Sequence, residues 1–261
     1  PWWQVSISFT PMIKVGKLNT LKVKRKSGAD IYLDGADLGE IILSAKHIPD
    51  NYSSGDEMEV FIYFDKDNRC AATTEKPYAM VGDFAFLKVI SESSVGAFLD
   101  WGLPKDLLAP FREQKQKMEE GRSYLVYIYL DEEDNRIVAS SKLEDFIDRV
   151  PAPFEEGEEV DLLIFSHTDL GYKAIVNNTH EGVLYKNEVF QRLEKGHRTK
   201  GYIRKVRVDG KIDLILHKPG YEKIDDVSKQ ILDMLNSENG FIALYDKSSA
   251  EDIYRMFRIS K

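Results

Sequence analysis

The chain alternates in short runs. In Val95–Phe111, VGAFLDWGLPKDLLAPF, the apolar residues Val95, Ala97, Leu99 and Trp101 alternate with Gly96, Phe98 and Asp100. Period two is the spacing of a strand, so the first set predicts a core-facing edge, with Trp101 plugging a barrel. Phe98 falls on the opposite face, where a large ring either covers a neighbour or binds something. After a turn through Gly102 and Pro104, Leu107-Leu108-Ala109 predicts the next strand. Longer strands are predicted at Val60–Asp65 and Val126–Asp131, each followed by an Asp/Asn-rich turn, Asp65–Asn68 and Asp131–Asn135. Asp209-Gly210 is a hairpin signal. Phe111–Glu120, FREQKQKMEE, predicts a helix between the third and fourth strands of its segment.

These elements recur. The landmarks that begin at Gly16 return 66 residues later at Gly82. Tyr32-Leu33-Asp34 returns as Phe98-Leu99-Asp100, Gly55 as Gly121, and Asp67-Asn68-Arg69 as Asp134-Asn135-Arg136 after one inserted residue. Both copies close on small residues, Ala71–Thr74 and Val138–Ser141. A more divergent third copy follows the acidic, Pro-containing stretch Val150–Glu159. In it Gly157, Ala174-Ile175-Val176, Gly196 and Lys211 answer to Gly82, Ala97-Phe98-Leu99, Gly121 and Arg136. Five short strands with a helix after the third, three times over, predict three consecutive OB-type barrels in a mainly β chain. The tail differs. Asp225–Ser237 has helical spacing, Phe241–Tyr245 predicts a short strand, and Ser248 or Ser249 is placed to cap a second helix over Ala250–Phe257. Helix, strand and helix fit the opening of a winged helix, truncated before its recognition helix.

Composition narrows the function. Among 261 residues the net charge is −8, which argues against a protein that coats nucleic acid through bulk charge. The distribution is uneven. Residues 195–218 hold eight Lys/Arg against two acids, whereas residues 78–150 hold nine against fourteen. The one cysteine, Cys70, excludes an internal disulfide framework and fits a reducing, cytoplasmic setting. Five scattered histidines offer no zinc-ligand spacing, so neither a metal nor a cofactor is expected. The acid clusters near Asp65 and Asp131 read as turn formers rather than as magnesium ligands of a nuclease, and no nucleophile–base set is visible. No apolar run is long enough for a membrane helix. Residues 1–11 read as a leader outside the fold.

Gly96-Ala97-Phe98-Leu99-Asp100, Asp106–Pro110, Gly121 and the closing Asp131…Arg136…Ala139-Ser140-Ser141-Lys142 resemble the S1 RNA-binding domain. Residues 12–261 as a whole resemble the conserved virulence factor B family, through Tyr32–Gly35, Glu59–Thr74, Val95–Phe111 and Tyr124–Lys142. The resemblance implies three S1 domains, at 12–77, 78–149 and 150–222, followed by a winged helix at 223–261. It also implies a non-catalytic, regulatory, cytoplasmic RNA-binding protein.

In the S1 pattern, aromatic residues stack on bases and basic residues hold phosphate. The resemblance places the strand-2 aromatic on Tyr32 and Phe98, with Ile175 in the third copy. It places the strand-5 cation on Arg69, Arg136 and Lys211. The family's strand-3 histidine falls on Leu43, Ala109 and Tyr185, so it is absent. Coincidence of aromatics with local positive charge adds Tyr172, Tyr185, Arg204 and Arg207 to the candidate contacts. Single-stranded RNA is the expected partner, with DNA an option through the winged helix. The alternative is a protein-interaction scaffold whose barrels have lost RNA contact; it predicts Phe98 and Tyr32 buried between domains.

Overall fold

The computed structural model describes residues 13–43, 52–65, 67, 69–148, 153–189 and 191–218. In the tail it describes 231–237, 240–242, 244–245, 248–249, 251–252 and 257. The proposed leader, residues 1–11, lies outside them.

The first barrel is built from β1 (Leu18–Ser27), β2 (Asp30–Asp34), β3 (Glu40–Leu43), β4 (Glu57–Phe64) and β5 (Cys70–Thr73). The second uses β6 (Phe84–Glu92), β7 (Gly96–Leu99), β8 (Leu107–Pro110), β9 (Ser123–Asp131) and β10 (Arg136–Ser140). The third uses β11 (Glu159–Thr168), β12 (Gly171–Val176), β13 (His180–Tyr185), β14 (Arg198–Val206) and β15 (Ile212–Ile215). Each closes in the order first, second, third, fifth, fourth, with the third and fifth strands parallel and the other pairs antiparallel. The expected OB architecture is present in all three copies.

Alternation fills each barrel. Val23, Ile31, Leu33, Ile41 and Leu43 meet inside the first, and Val89, Ala97, Leu99, Leu107 and Ala109 inside the second. Ile164, Ala174, Val176, Leu184 and Leu214 fill the third. In every barrel the first strand carries a bulge opposite the second, at Val23/Arg25, Val89/Ser91 and Ile164/Ser166. The extra residue bends the strand so that it can serve two neighbours of the closed sheet.

The chain divides into two compact units, residues 1–145 and 146–261. Within the first, the two barrels share packing. Phe61 leaves the first barrel's own core and is buried with the residues of the second, where Trp101 meets it edge-on at 5.6 Å. Trp101 thus closes its barrel as expected, and it also joins that barrel to its neighbour. Its indole N–H donates to the Lys105 carbonyl at 2.6 Å. Gly16 accepts the Val81 backbone N–H at 3.0 Å, and a Cβ at Gly16 would lie 2.1 Å from a Val81 methyl, so only glycine lets the chains meet there.

Three local expectations are corrected. Phe111–Glu120 forms no helix beyond a 3-10 turn at Phe111–Glu113. FREQKQKMEE has no apolar stripe to bury, and Met118 alone enters the core, so packing cannot sustain a helix. Val95 is 55% exposed, because it precedes β7 and sits in the turn rather than in the alternation. In the tail, residues 231–237 are helical, while 225–230 lie outside the described residues. Residues 241, 242, 244 and 245 join no sheet; Leu244 N–H bonds locally to the Ile242 carbonyl, and Phe241 and Tyr245 are exposed. Ser249 does cap as expected, accepting the Asp252 N–H at 3.0 Å and donating to its carboxylate at 2.6 Å.

Candidate nucleic-acid interface

Recurring backbone bonds fix which residues are equivalent. Gly55, Gly121 and Gly196 donate to Val23, Val89 and Ile164, and Gly16, Gly82 and Gly157 donate to Ile62, Ile128 and Ile203. The spacing from the second copy to the third is therefore the same at both ends of the barrel, and strand 2 obeys it. Gly96 and Gly171 lie against the same point of the next strand, opposite Pro110 and Tyr185. A Cβ would come within 2.2 and 2.1 Å of the facing carbonyl oxygen at these two positions. The bulges then pair Arg25 with Tyr32, Ser91 with Phe98 and Ser166 with Lys173. Lys173, not Ile175, stands where the first two copies carry an aromatic. The strand-3 position is likewise Leu43, Ala109 and Leu184, all fully buried in their own barrels, rather than Tyr185.

In the first barrel this face is closed by its own side chains. The Arg25 guanidinium lies 3.8 Å above the Tyr32 ring and is bonded to Glu40 at 2.6 Å. That bond raises the arginine pKa and holds the Glu40 carboxyl below its usual range. Arg69 donates to Asp65 at 3.0 Å and to Asp67 at 2.9 Å. Burial would raise the Asp65 carboxyl, but backbone donation from Arg69 and Asp67 and the Arg69 side chain together keep it low. The Tyr32 ring and both cations, Arg25 and Arg69, are engaged.

The second barrel presents the same positions open. Phe98 is half-buried on β7 beside Leu108 of β8, and Arg136 is exposed at the start of β10. Among the described residues Arg136 has no ion pair; Asp131, opposite it, is taken by Arg112. These residues line a cavity of about 390 Å³ together with Tyr63, Phe64 and Asp65 of the first barrel and Trp101, Lys105 and Asp106 of the second. Lys105 reaches the Phe64 carbonyl at 3.3 Å. Its amine is lowered first by burial and then by Arg136, with Asp65 opposing. Two cations therefore repel one another beside an aromatic wall. Burial, followed by Asp65 and Glu75, raises the Tyr63 phenol, whose hydroxyl makes no hydrogen bond among the described residues.

In the third barrel the cations are present but paired. Arg207 donates to Asp213 at 2.8 Å and to the Tyr185 hydroxyl at 2.6 Å, and Tyr185 donates to Asp213 at 3.2 Å. Arg204 bonds Glu188, Lys211 bonds Asp209 at 3.1 Å, and Lys200 bonds Asp161 at 2.8 Å. Tyr185, Arg204 and Arg207 share a polar depression with Lys205, whereas Lys211 and Tyr172 do not line it. Tyr172 follows the inward parity of Ala174 and Val176 and packs against the barrel core, edge-on to His167 at 4.6 Å. The nine candidate residues thus fall into three separate sets, one per barrel. Lys105, Tyr63 and Lys205 were missed, because nothing in their local sequence marks them. Tyr32 and Phe98 are each half-buried, short of the full burial that the scaffold alternative requires, although Phe98 lines the cavity between the first two barrels.

Asp65 and Asp131 act as turn acceptors, receiving the Asp67 and Glu133 backbone N–H groups. Among the described residues no three His, Cys, Asp or Glu side chains converge as a metal site, and no helix is long and apolar enough to cross a membrane.

The profile of the S1 domain matches residues 15–75 and 81–142, and that of the CvfB-like winged helix domain matches residues 229–261. Conserved virulence factor B of Staphylococcus saprophyticus is 26% identical over 265 residues, covering 95% of this chain and 86% of that protein. The Staphylococcus haemolyticus protein of the same name is 27% identical over 267 residues, again covering 95% of this chain and 86% of that protein. Over 95% of its length the chain is similar to proteins named conserved virulence factor B. Protein YitL of Bacillus subtilis is 26% identical over 263 residues, with the same coverage of 95% and 86%. A solved multidomain protein with nucleic acid binding domains from Streptococcus pneumoniae aligns at 21% identity and a TM-score of 0.43, over 94% of this chain and 89% of that one. The third barrel, between the profile matches, has the topology of the first two. The chain thus carries S1 domains and a CvfB-like winged helix domain, which are nucleic-acid-binding types.

Proposed function

We propose that this chain is a non-catalytic, regulatory protein that binds single-stranded RNA. The observation that carries the reading is on the second barrel, where Phe98 lines one cavity with Arg136 and Lys105 and neither cation is in an ion pair among the described residues. A ring for stacking and two cations for phosphate form the minimal single-strand contact. The third barrel supplies backbone attraction through the surplus of positive charge in 195–218. Its pairs on Arg204 and Lys211 leave the cations 52% or more exposed, and exposed pairs contribute only about 0–1 kcal/mol, so phosphate can replace those carboxylates, whereas the buried Asp213 keeps Arg207. Tyr32, Arg69, Tyr172 and Tyr185 act within their own barrels and support these contacts.

Fluorescence anisotropy of a labelled ten-nucleotide oligouridylate, with the DNA counterpart beside it, tests this. Phe98→Ala is expected to weaken binding by the stacking contribution, about 1–3 kcal/mol. Lys205→Ala with Lys211→Ala is expected to weaken it further. Unchanged affinity in both variants would refute the assignment, and equal affinity for DNA would refute the preference for RNA.

A further inference from the structure

The cavity between the first two barrels is a recess shared by both rather than a flat stacking surface. Its volume of about 390 Å³ lies within the roughly 300–1,000 Å³ of small-molecule pockets. Its aromatic lining comes from different barrels, Phe98 from β7 and Tyr63 from β4, together with Trp101. Trp101 and Phe61 pack the two barrels together, so this part of the lining is held by core packing. The Trp101 N–H is already spent on the Lys105 carbonyl, whereas the Tyr63 hydroxyl is without a partner among the described residues and is available to a polar edge. Lys105 and Arg136 stand on the same cavity.

We infer that this cavity receives a single nucleobase between Phe98 and Tyr63, with its attached phosphate held by Lys105 and Arg136. The site rests on the RNA-binding reading and deepens it, adding Tyr63 of the first barrel to the contact made by Phe98, Arg136 and Lys105. Aromatic walls suit the faces of a base, and the two unpaired cations suit an anion bonded to it. A phosphate would also relieve the repulsion that lowers the Lys105 amine. The shared chemistry is a nucleobase carrying a phosphate, supplied by a base turned out of a strand or by a free mononucleotide.

The test uses the full chain and an oligouridylate with one central 2-aminopurine, the same strand with an abasic residue at that position, and free 2-aminopurine riboside monophosphate. Val95 lines the cavity and is 55% exposed, so Val95→Trp blocks its mouth without entering the core. Quenching of 2-aminopurine by the wild type, lost in Val95→Trp, is the expected result. The abasic strand should bind the wild type roughly five- to a hundredfold more weakly than the intact strand, the range that corresponds to stacking of one base. Quenching confined to the oligonucleotide identifies a base turned out of the strand, and saturable quenching of the monophosphate identifies a free nucleotide; both support the site. If the intact and abasic strands bind alike and no quenching occurs, the subsite is overturned while RNA binding stands. If no strand binds at all, the RNA-binding reading itself fails.

Discussion

Arg69 and Arg136 are the same position in two copies of one barrel, and the structure gives them opposite roles. Arg69 is bonded to Asp65 and Asp67, a local group with one more negative than positive charge. Arg136 is exposed and lacks an ion pair among the described residues, and Lys105 shares its cavity. Each phosphate neutralised on a single strand adds about 0.7 to the slope of log affinity against log salt. Arg136→Ala should therefore flatten the slope by about 0.7, and Arg136→Ala with Lys105→Ala by about 1.4. Between 50 and 200 mM salt these changes correspond to roughly 2.6-fold and sevenfold differences in how far affinity falls. Arg69→Ala should leave the slope unchanged, because its charge is already neutralised within the barrel. The assay is anisotropy of a labelled oligouridylate at four or five salt concentrations, with thermal unfolding as a control for structure. Equal flattening by Arg69→Ala and Arg136→Ala would refute the reasoning, since the pairing state would then have no bearing on contact with phosphate. An unchanged slope in the double variant would refute it equally.

Three further outcomes are expected. Gly96→Ala places a methyl 2.2 Å from the Ala109 carbonyl oxygen, so urea unfolding should show a loss of about 1–3 kcal/mol or more, with an unchanged m-value. Tyr129 is pushed up to about 12, first by burial and then by Glu113, so the fold favours the protonated phenol. That contribution is complete below the ordinary value near 10 and is lost as pH rises from about 10 to about 12; Tyr129→Phe should show a smaller drop in urea midpoint across that window. Asp213→Asn removes the carboxylate that holds Arg207 and accepts from Tyr185; a stability loss of about 1.5–3 kcal/mol should accompany a salt slope steeper by about 0.7, as a released guanidinium meets phosphate.

The fold was legible because the repeats keep their spacing. Gly16, Gly82 and Gly157 mark the same backbone bond, and the alternation around Leu33 and Leu99 defines the inner face. Strand 2 of the third barrel slipped by two residues because Ala174-Ile175-Val176 imitates Ala97-Phe98-Leu99 in character. A shift of two preserves parity, so the hydrophobic pattern cannot detect it. Gly171 could have detected it: it keeps the spacing from Gly96 that the other landmarks show, and both glycines lie where the facing strand leaves no room for a Cβ. The helix at Phe111–Glu120 was expected from composition, and the missing apolar stripe was the signal against it.

The site was less legible, for a reason that counting charges cannot repair. The basic window 195–218 contains two acids, yet its cations are bonded to Glu188 and Asp161, which lie outside the window, as well as to Asp209 and Asp213 within it. Strand pairing brings those acids into reach, so a surplus along the sequence becomes a set of pairs on the surface. The open cations arise in the opposite way. Arg136 lies in the acidic second barrel, but its neighbour across the ladder, Asp131, is held by Arg112. Among the described residues an acid-rich barrel thus keeps an unpaired cation, while in a base-rich barrel Lys200, Arg204, Arg207 and Lys211 are occupied. The cavity extends this across a domain boundary, since Tyr63 and Phe98 belong to different copies of the repeat and line one recess where Phe61 and Trp101 pack the two barrels together. In these repeated barrels, residue identity at the S1 positions therefore does not tell which cations stand open and which are bonded to a carboxylate of the same chain.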